Sequence, residues 1–292
     1  EIAAFAKNGY VVGAAISVAI ATALKAPPLV LYSAVTVGSI SYMLGHGDYT
    51  AGPAGAFFAV IVAVELGKVV SKETKVDILV TPIVTISAGY IVAKLVCPGI
   101  ALAMNYLGQF INSVTEIRPF LMGIIISVVV GVILTLPISS AAICAMIGIS
   151  GIAGGAAMAG CCAQMVGFAV LSFRENRFDG ILSQGLGTSM LQMGNIIKKP
   201  IIWLPVLLAS AITGPISTVL FKLECSGVSA GMGTCGFVGP FGSISVTENK
   251  TPFYWCGLIL VCIILPAVLT WFFGMIMRRF KLIKDGDLKL EL

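Results

Sequence analysis

The sequence predicts an all-α polytopic membrane protein of about nine or ten crossings, with re-entrant hairpins and an internal repeat. Two observations carry that class. The 292-residue chain is 58% hydrophobic and only 11% charged, with a mean hydropathy of +1.03; a soluble domain needs roughly 25% charged residues to cover its surface. From Pro119 to Phe173 there is no Asp, Glu, Lys or Arg, a stretch long enough to cross a hydrocarbon core of roughly 30 Å more than once. The same numbers exclude intrinsic disorder and a disulfide-framework toxin.

Apolar runs bounded by charges or Gly/Pro breaks place crossings at 8–24, 28–44, 54–70, 76–96, 119–137, 138–150, 152–173, 200–221 and 252–277. Segment 138–150 is short for a span, so 138–173 reads either as two crossings or as a tightly packed or re-entrant hairpin. Segment 98–118 reads as an amphipathic connector at the membrane surface. The whole of 1–292 is one integral membrane domain, with 278–292 as a tail.

Alternate threading with the tail in the cytoplasm puts most cations inside, among them Lys68, Lys72, Lys75, Arg174, Arg278 and Arg279. That is a positive-inside bias. It leaves the N-terminus outside, or requires one more helix before Glu1. The net charge of +5 is accounted for by topology signals that also meet anionic lipid, so no nucleic-acid partner is expected.

The eight cysteines lack the histidine partners of a zinc site, since the chain has one histidine, His46. They read as small polarizable packing residues. No metal and no cofactor is expected, and no catalytic set is present.

Three polar, glycine-rich breaks interrupt the spans, at 45–53, 180–195 and 225–247. Irregular backbone at membrane depth is tolerated only where protein or water surrounds it, so the second and third read as re-entrant hairpins. A repeat is visible as Pro137-Ile138-Ser139-Ser140 against Pro215-Ile216-Ser217-Thr218, each followed by a Gly-rich run starting at Gly151 or Gly227. Small residues recur wherever membrane helices pack closely, which is the alternative.

Gln164, Ser183, Gln184, Thr188, Ser189, Gln192 and Asn195 form the densest uncharged polar group. Amides and hydroxyls both donate and accept, which suits a neutral polyhydroxylated ligand; they serve equally well as interhelical glue. Gln192 and Asn195 share a helical face. Gly231, Gly233 and Thr234 sit in a GxGxxG run without the strand a dinucleotide site requires, leaving backbone amides for a polar ligand. Three groups are ionisable partners: Glu65, or else a helix-end acid pairing Lys68; and His46 with Asp48, or else a capped turn.

The runs Glu65-Leu66-Gly67-Lys68-Val69-Val70-Ser71-Lys72, Gln164-Met165-Val166-Gly167-Phe168, Ser183-Gln184-Gly185-Leu186-Gly187-Thr188-Ser189-Met190 and Ala230-Gly231-Met232-Gly233-Thr234 resemble the membrane-embedded IIC proteins of the bacterial phosphotransferase system. The branch is the compact one that includes the perfringolysin-regulator-like proteins. The resemblance spans roughly 10–275. It implies a sugar permease of the bacterial cytoplasmic membrane, usually a homodimer, with soluble IIA and IIB partners passing phosphate to the sugar. These 292 residues include no IIA- or IIB-like segment. A membrane sensor on a permease scaffold and a proton-coupled secondary transporter are therefore the alternatives.

Overall fold

The computed structural model describes residues 8–46, 49–136 and 139–290. Asp48, and the Pro137 and Ile138 of the expected repeat, lie outside the described residues. The chain is helical nearly throughout, and divides into two compact units, 1–107 and 108–292.

In the first unit, α1 (Gly9–Ala23), α2 (Pro28–Met43) and α3 (Gly52–Val70) pack on one another. Asn8 opens α1 by accepting from Tyr10 N at 2.9 Å, satisfying one of the donors a helix start leaves free. Gly13 and Gly38 let α1 and α2 touch backbone to backbone; a Cβ on either would fall on the other's carbonyl oxygen. A two-residue ladder, β1 (Gly45–His46) with β2 (Tyr49–Thr50), joins α2 to α3. The core is Val30, Ala34, Val37, Val60, Ala63 and Val64, closed by Ala93 and Cys97 of the helix that follows.

Helix α4 (Asp77–Ile117) has 41 residues, about 60 Å at 1.5 Å per residue. Here the structure differs from the sequence expectation of a crossing at 76–96 followed by a separate connector. The helix continues through Pro82 and Pro98. Each proline removes one N–H from the ladder, a loss that membrane helices tolerate.

The second unit is built around α7 (Gly151–Leu171), which is buried on every face. Packed against it are α5 (Pro119–Thr135), α10 (Leu204–Pro215) and α14 (Leu265–Arg279). The reason is compositional: Gly and Ala predominate in the first half of α7, so neighbours approach its backbone. A Cβ at Gly160 would fall on the Ser127 carbonyl of α5.

Between α5 and α7 lies α6 (Ser140–Ile147), at about 12 Å too short to span the bilayer alone. Ser139 Oγ caps it from Ala142 N at 3.2 Å, and Gly148 ends it in the left-handed region. Thus 138–150 is not an independent crossing.

After α7 come α8 (Phe173–Gly180), a π-helical turn (Ile181–Gly187), a 3-10 turn (Ser189–Gln192) and α9 (Met193–Lys198). The span 200–221 begins as 3-10 helix (Pro200–Trp203), continues as α10 and ends in a second π-helical turn (Ile216–Phe221). Short α11 (Gly227–Ala230) and α12 (Val238–Val246) follow. The last span is α13 (Pro252–Ile259), a π-helical turn (Leu260–Ile264) and α14.

The two Gly-led segments with similar sequence lie side by side: Cys225 N donates to Gly151 O at 3.1 Å and Gly227 N to Ile149 O at 2.9 Å. Gly151 and Gly227 both have positive φ, +56° and +51°, which glycine adopts without strain. Cys144, Cys161, Cys162, Cys225 and Cys262 are buried in this unit's apolar core, filling the packing role expected of them. Among the described residues, 52–70, 77–117, 151–171, 200–221 and 252–279 are long and apolar enough to cross a membrane, with shorter apolar helices at 9–23, 28–43, 119–135 and 235–246. The fold is that of an all-α polytopic membrane protein.

Candidate solute site

Gln164 lies on the buried helix α7 and is fully enclosed. Its Oε1 accepts from Trp203 Nε1 at 2.8 Å and from the Thr135 hydroxyl at 3.2 Å. Its Nε2 donates to Ser210 Oγ at 3.2 Å, and Ser210 donates onward to Val206 O. Thr135 has one hydroxyl hydrogen; when it serves Gln164, the 2.9 Å contact with Ser189 Oγ is donated by Ser189. Three helices and the 3-10 turn at 189 are thereby tied by one closed, uncharged network. In a low-dielectric interior such a network is worth having only when every member is satisfied.

The π-helical turn at 181–187 differs. Gln184 is fully buried, and its Nε2 donates to Ser172 Oγ at 2.8 Å and Gly180 O at 3.2 Å. The Gly180 carbonyl can only accept, so the Gln184 atom facing it is the amide nitrogen and the orientation follows. That leaves Gln184 Oε1 without a partner, and the adjacent Ser183 Oγ has none either. The third such atom among the described residues is Thr270 Oγ1 on α14, which faces α7 at Gly167. Thr270 was not foreseen; one hydroxyl in an apolar span carries no pattern.

Thr188 Oγ1 is engaged locally, accepting from Met190 N at 3.2 Å. Thr234 Oγ1 donates to Gly185 O at 2.7 Å, tying the 231–236 loop to the π-helical turn. Gly231 O accepts from Ser140 Oγ at 2.6 Å, and Gly233, at φ +54°, lies against the Cys161–Cys162 backbone. A short helix, not a strand, leads into this loop, as the sequence context required.

Gln192 and Asn195 do meet: Asn195 Nδ2 donates to Gln192 Oε1 at 2.8 Å. Their remaining donors are taken by the tail. Gln192 Nε2 donates to Leu288 O at 3.0 Å, and Asn195 Nδ2 to Lys289 O at 2.9 Å. Asn176 completes the clamp, giving 2.8 Å bonds to Leu288 O and from Leu290 N. Leu288 and Ile283 are buried with Phe168, Ile202 and Val206. Asn176 escaped notice because it lies in the charged run Arg174-Glu175-Asn176-Arg177, which reads as a solvated loop.

Lys199 pairs with Asp287 at 2.5 Å. Burial raises the Asp287 pKa, but hydrogen bonds from Lys199 and the Lys284 backbone, with both lysine charges, outweigh it and leave it below its ordinary value. Arg278 pairs with Glu175 at 2.8 Å and Asp285 at 2.9 Å.

The ionisable candidates belong to the first unit. Glu65 pairs with Lys68 at 2.6 Å and is half exposed, and Lys68 also donates to Leu24 O at 3.3 Å. That is the helix-end pairing weighed as the alternative. His46 is exposed on the β1–β2 ladder.

The described residues thus form a multi-pass helical membrane protein with an uncharged polar network buried in its second unit. Residues 2–290 match the family model described as phosphotransferase system, EIIC. The chain belongs to that family: membrane permeases that handle sugars together with IIA and IIB partners. Neither a curated protein nor a solved structure matches it.

Proposed function

We propose that this permease carries a small, neutral, polyhydroxylated solute, bound against the π-helical turn at 181–187. The observation that supports this is the pair of adjacent buried acceptors, Ser183 Oγ and Gln184 Oε1, left without partners. An unpaired buried acceptor costs about 1–3 kcal/mol, and a donating ligand hydroxyl would recover it. The polar residues buried in this core are Ser, Thr, Asn and Gln alone among the described residues, which favours a neutral ligand over an ion.

In this reading Gln164, Thr135 and Ser189 hold the floor of the site, while Thr188, Gly231, Gly233 and Thr234 set its backbone. Segments 180–195 and 225–247 act as the re-entrant elements. The tail lies on the cytoplasmic side, and access alternates by movement of one helical bundle against another in a homodimer.

The test is uptake of labelled sugars and polyols into vesicles holding the purified protein, run beside equilibrium binding. Saturable uptake of one solute, weakened severalfold in Gln184→Met, supports the proposal. No binding by any sugar or polyol defeats it. Binding without uptake would assign the scaffold to sensing.

A further inference from the structure

Two cavities meet where the last span ends. The first, of about 160 Å³, is an apolar slot between the ends of α7 and α14, framed by Val170, Phe173, Trp271 and Met275. The second, of about 370 Å³, is a basic cup lined by Arg174, Arg278, Lys281 and Lys284, with Ile283 and Asp285. Arg174 and Arg278 line both, so slot and cup share a wall.

Charge and geometry together define the occupant. Among the described residues Asp285 is the one carboxylate lining the cup; its side chain is 88% exposed and it pairs with Arg278. Arg174 and Lys281 have no ion-pair partner among the described residues, whereas Lys284 acts on Asp287 and Arg278 is shared between Glu175 and Asp285. The cup thus holds a surplus of positive charge. Trp271 and Arg278 are seven residues apart on α14, two turns on one face and about 10 Å along the axis. Trp271 is 58% exposed, on an apolar helix whose last turn is Arg278-Arg279. Aromatic side chains of this kind mark the membrane interface.

We infer that slot and cup form one binding site for an anionic phospholipid, its phosphate in the cup and part of an acyl chain in the slot. A free phosphate ester would use the cup and leave the slot empty. A neutral lipid would gain nothing from the cations, each worth about 1 kcal/mol toward an anionic headgroup.

Trp271 gives the readout. The protein is placed in detergent micelles and titrated with phosphatidylglycerol brominated on its acyl chains, with brominated phosphatidylcholine as the neutral arm. The Trp271→Phe variant isolates this residue's quenching. The anionic lipid should quench Trp271 at a concentration at least tenfold lower than the neutral one. The double variant Arg174→Gln, Lys281→Gln should shift that concentration upward by roughly tenfold or more. Its side chains make no ion pairs, so its thermal unfolding without lipid should match that of the parent. Should it unfold early, the comparison of the two lipids on the parent protein decides alone. Equal quenching by both lipids would overturn the inference. So would unlabelled inorganic phosphate or glycerol phosphate displacing the lipid at millimolar concentration, since the site would then be an anion cup only.

Discussion

Ser183→Ala separates a ligand group from a structural one, because the two roles predict opposite signs. The hydroxyl is buried and has no partner, so the folded protein gains nothing from it and carries its desolvation cost, about 1–3 kcal/mol. Removing it should leave stability unchanged or raise it by up to about 1 kcal/mol. For a chain of this size that is roughly 2 °C in Tm. A bound solute, by contrast, loses one hydrogen bond worth about 1 kcal/mol, so Kd should rise about fivefold. Ser189→Ala provides the comparison: its hydroxyl meets Thr135 at 2.9 Å, and its loss should lower stability by about 1 kcal/mol. The assays are thermal unfolding in detergent by tryptophan fluorescence, and equilibrium binding of the transported solute. Should Ser183→Ala lower Tm as much as Ser189→Ala does, the hydroxyl has an internal partner and the argument from its vacancy fails. Unchanged solute affinity would remove it from the site.

Other outcomes follow from the same geometry. Gln164→Leu strips the acceptor shared by Trp203 and Thr135 and should destabilise by about 2–4 kcal/mol, seen as a lower Tm. Gly160→Val drives a side chain into the Ser127 carbonyl and should prevent a monodisperse peak on size-exclusion chromatography; a normal peak would mean that α5 and α7 separate easily. Leu288→Asp places a charge among Phe168, Ile202 and Val206 and should free the tail, read as faster proteolysis beyond Arg279. The Lys199–Asp287 pair sets a pH dependence. Because the folded Asp287 pKa is depressed, its contribution is full above the ordinary aspartate pKa and fades as pH falls through the folded value. Tail protection from hydrogen exchange should therefore drop below about pH 4, and Asp287→Asn should abolish that step.

Most spans were legible because a membrane segment needs little more than length and apolarity. Residues 9–23, 28–43, 52–70, 151–171 and 252–279 fall within a few positions of the charge gaps that forecast them. Helix α4 was misjudged at its middle: Pro98 and the amphipathic run after it look like a boundary, but a proline costs a membrane helix one hydrogen bond and need not end it. Within the site, the i,i+3 relation of Gln192 and Asn195 was readable, and the two side chains do bond. Their other partner was not readable, because it is main chain. Backbone carbonyls at Leu288 and Lys289 carry no sequence signature, and the buried side chains Ile283 and Leu288 are hidden among lysines and aspartates. The division of labour between Gln164, fully satisfied, and Gln184, half satisfied, depends on which helices reach each amide, and composition is silent on that.

The enclosure of α7 also constrains the order in which the protein is made. Synthesis delivers α5 before it and α10 and α14 after it. On entering the bilayer, α7 therefore has one of the three long helices that pack against it. Gln164 then has Thr135 at hand, while Trp203 and Ser210 are still to come. Until the chain has extended past residue 210, a glycine-rich helix carrying a half-paired amide faces lipid. Its assembly must be completed by later helices closing around it, so truncation before α10 should leave a nascent chain that membrane quality control recognises.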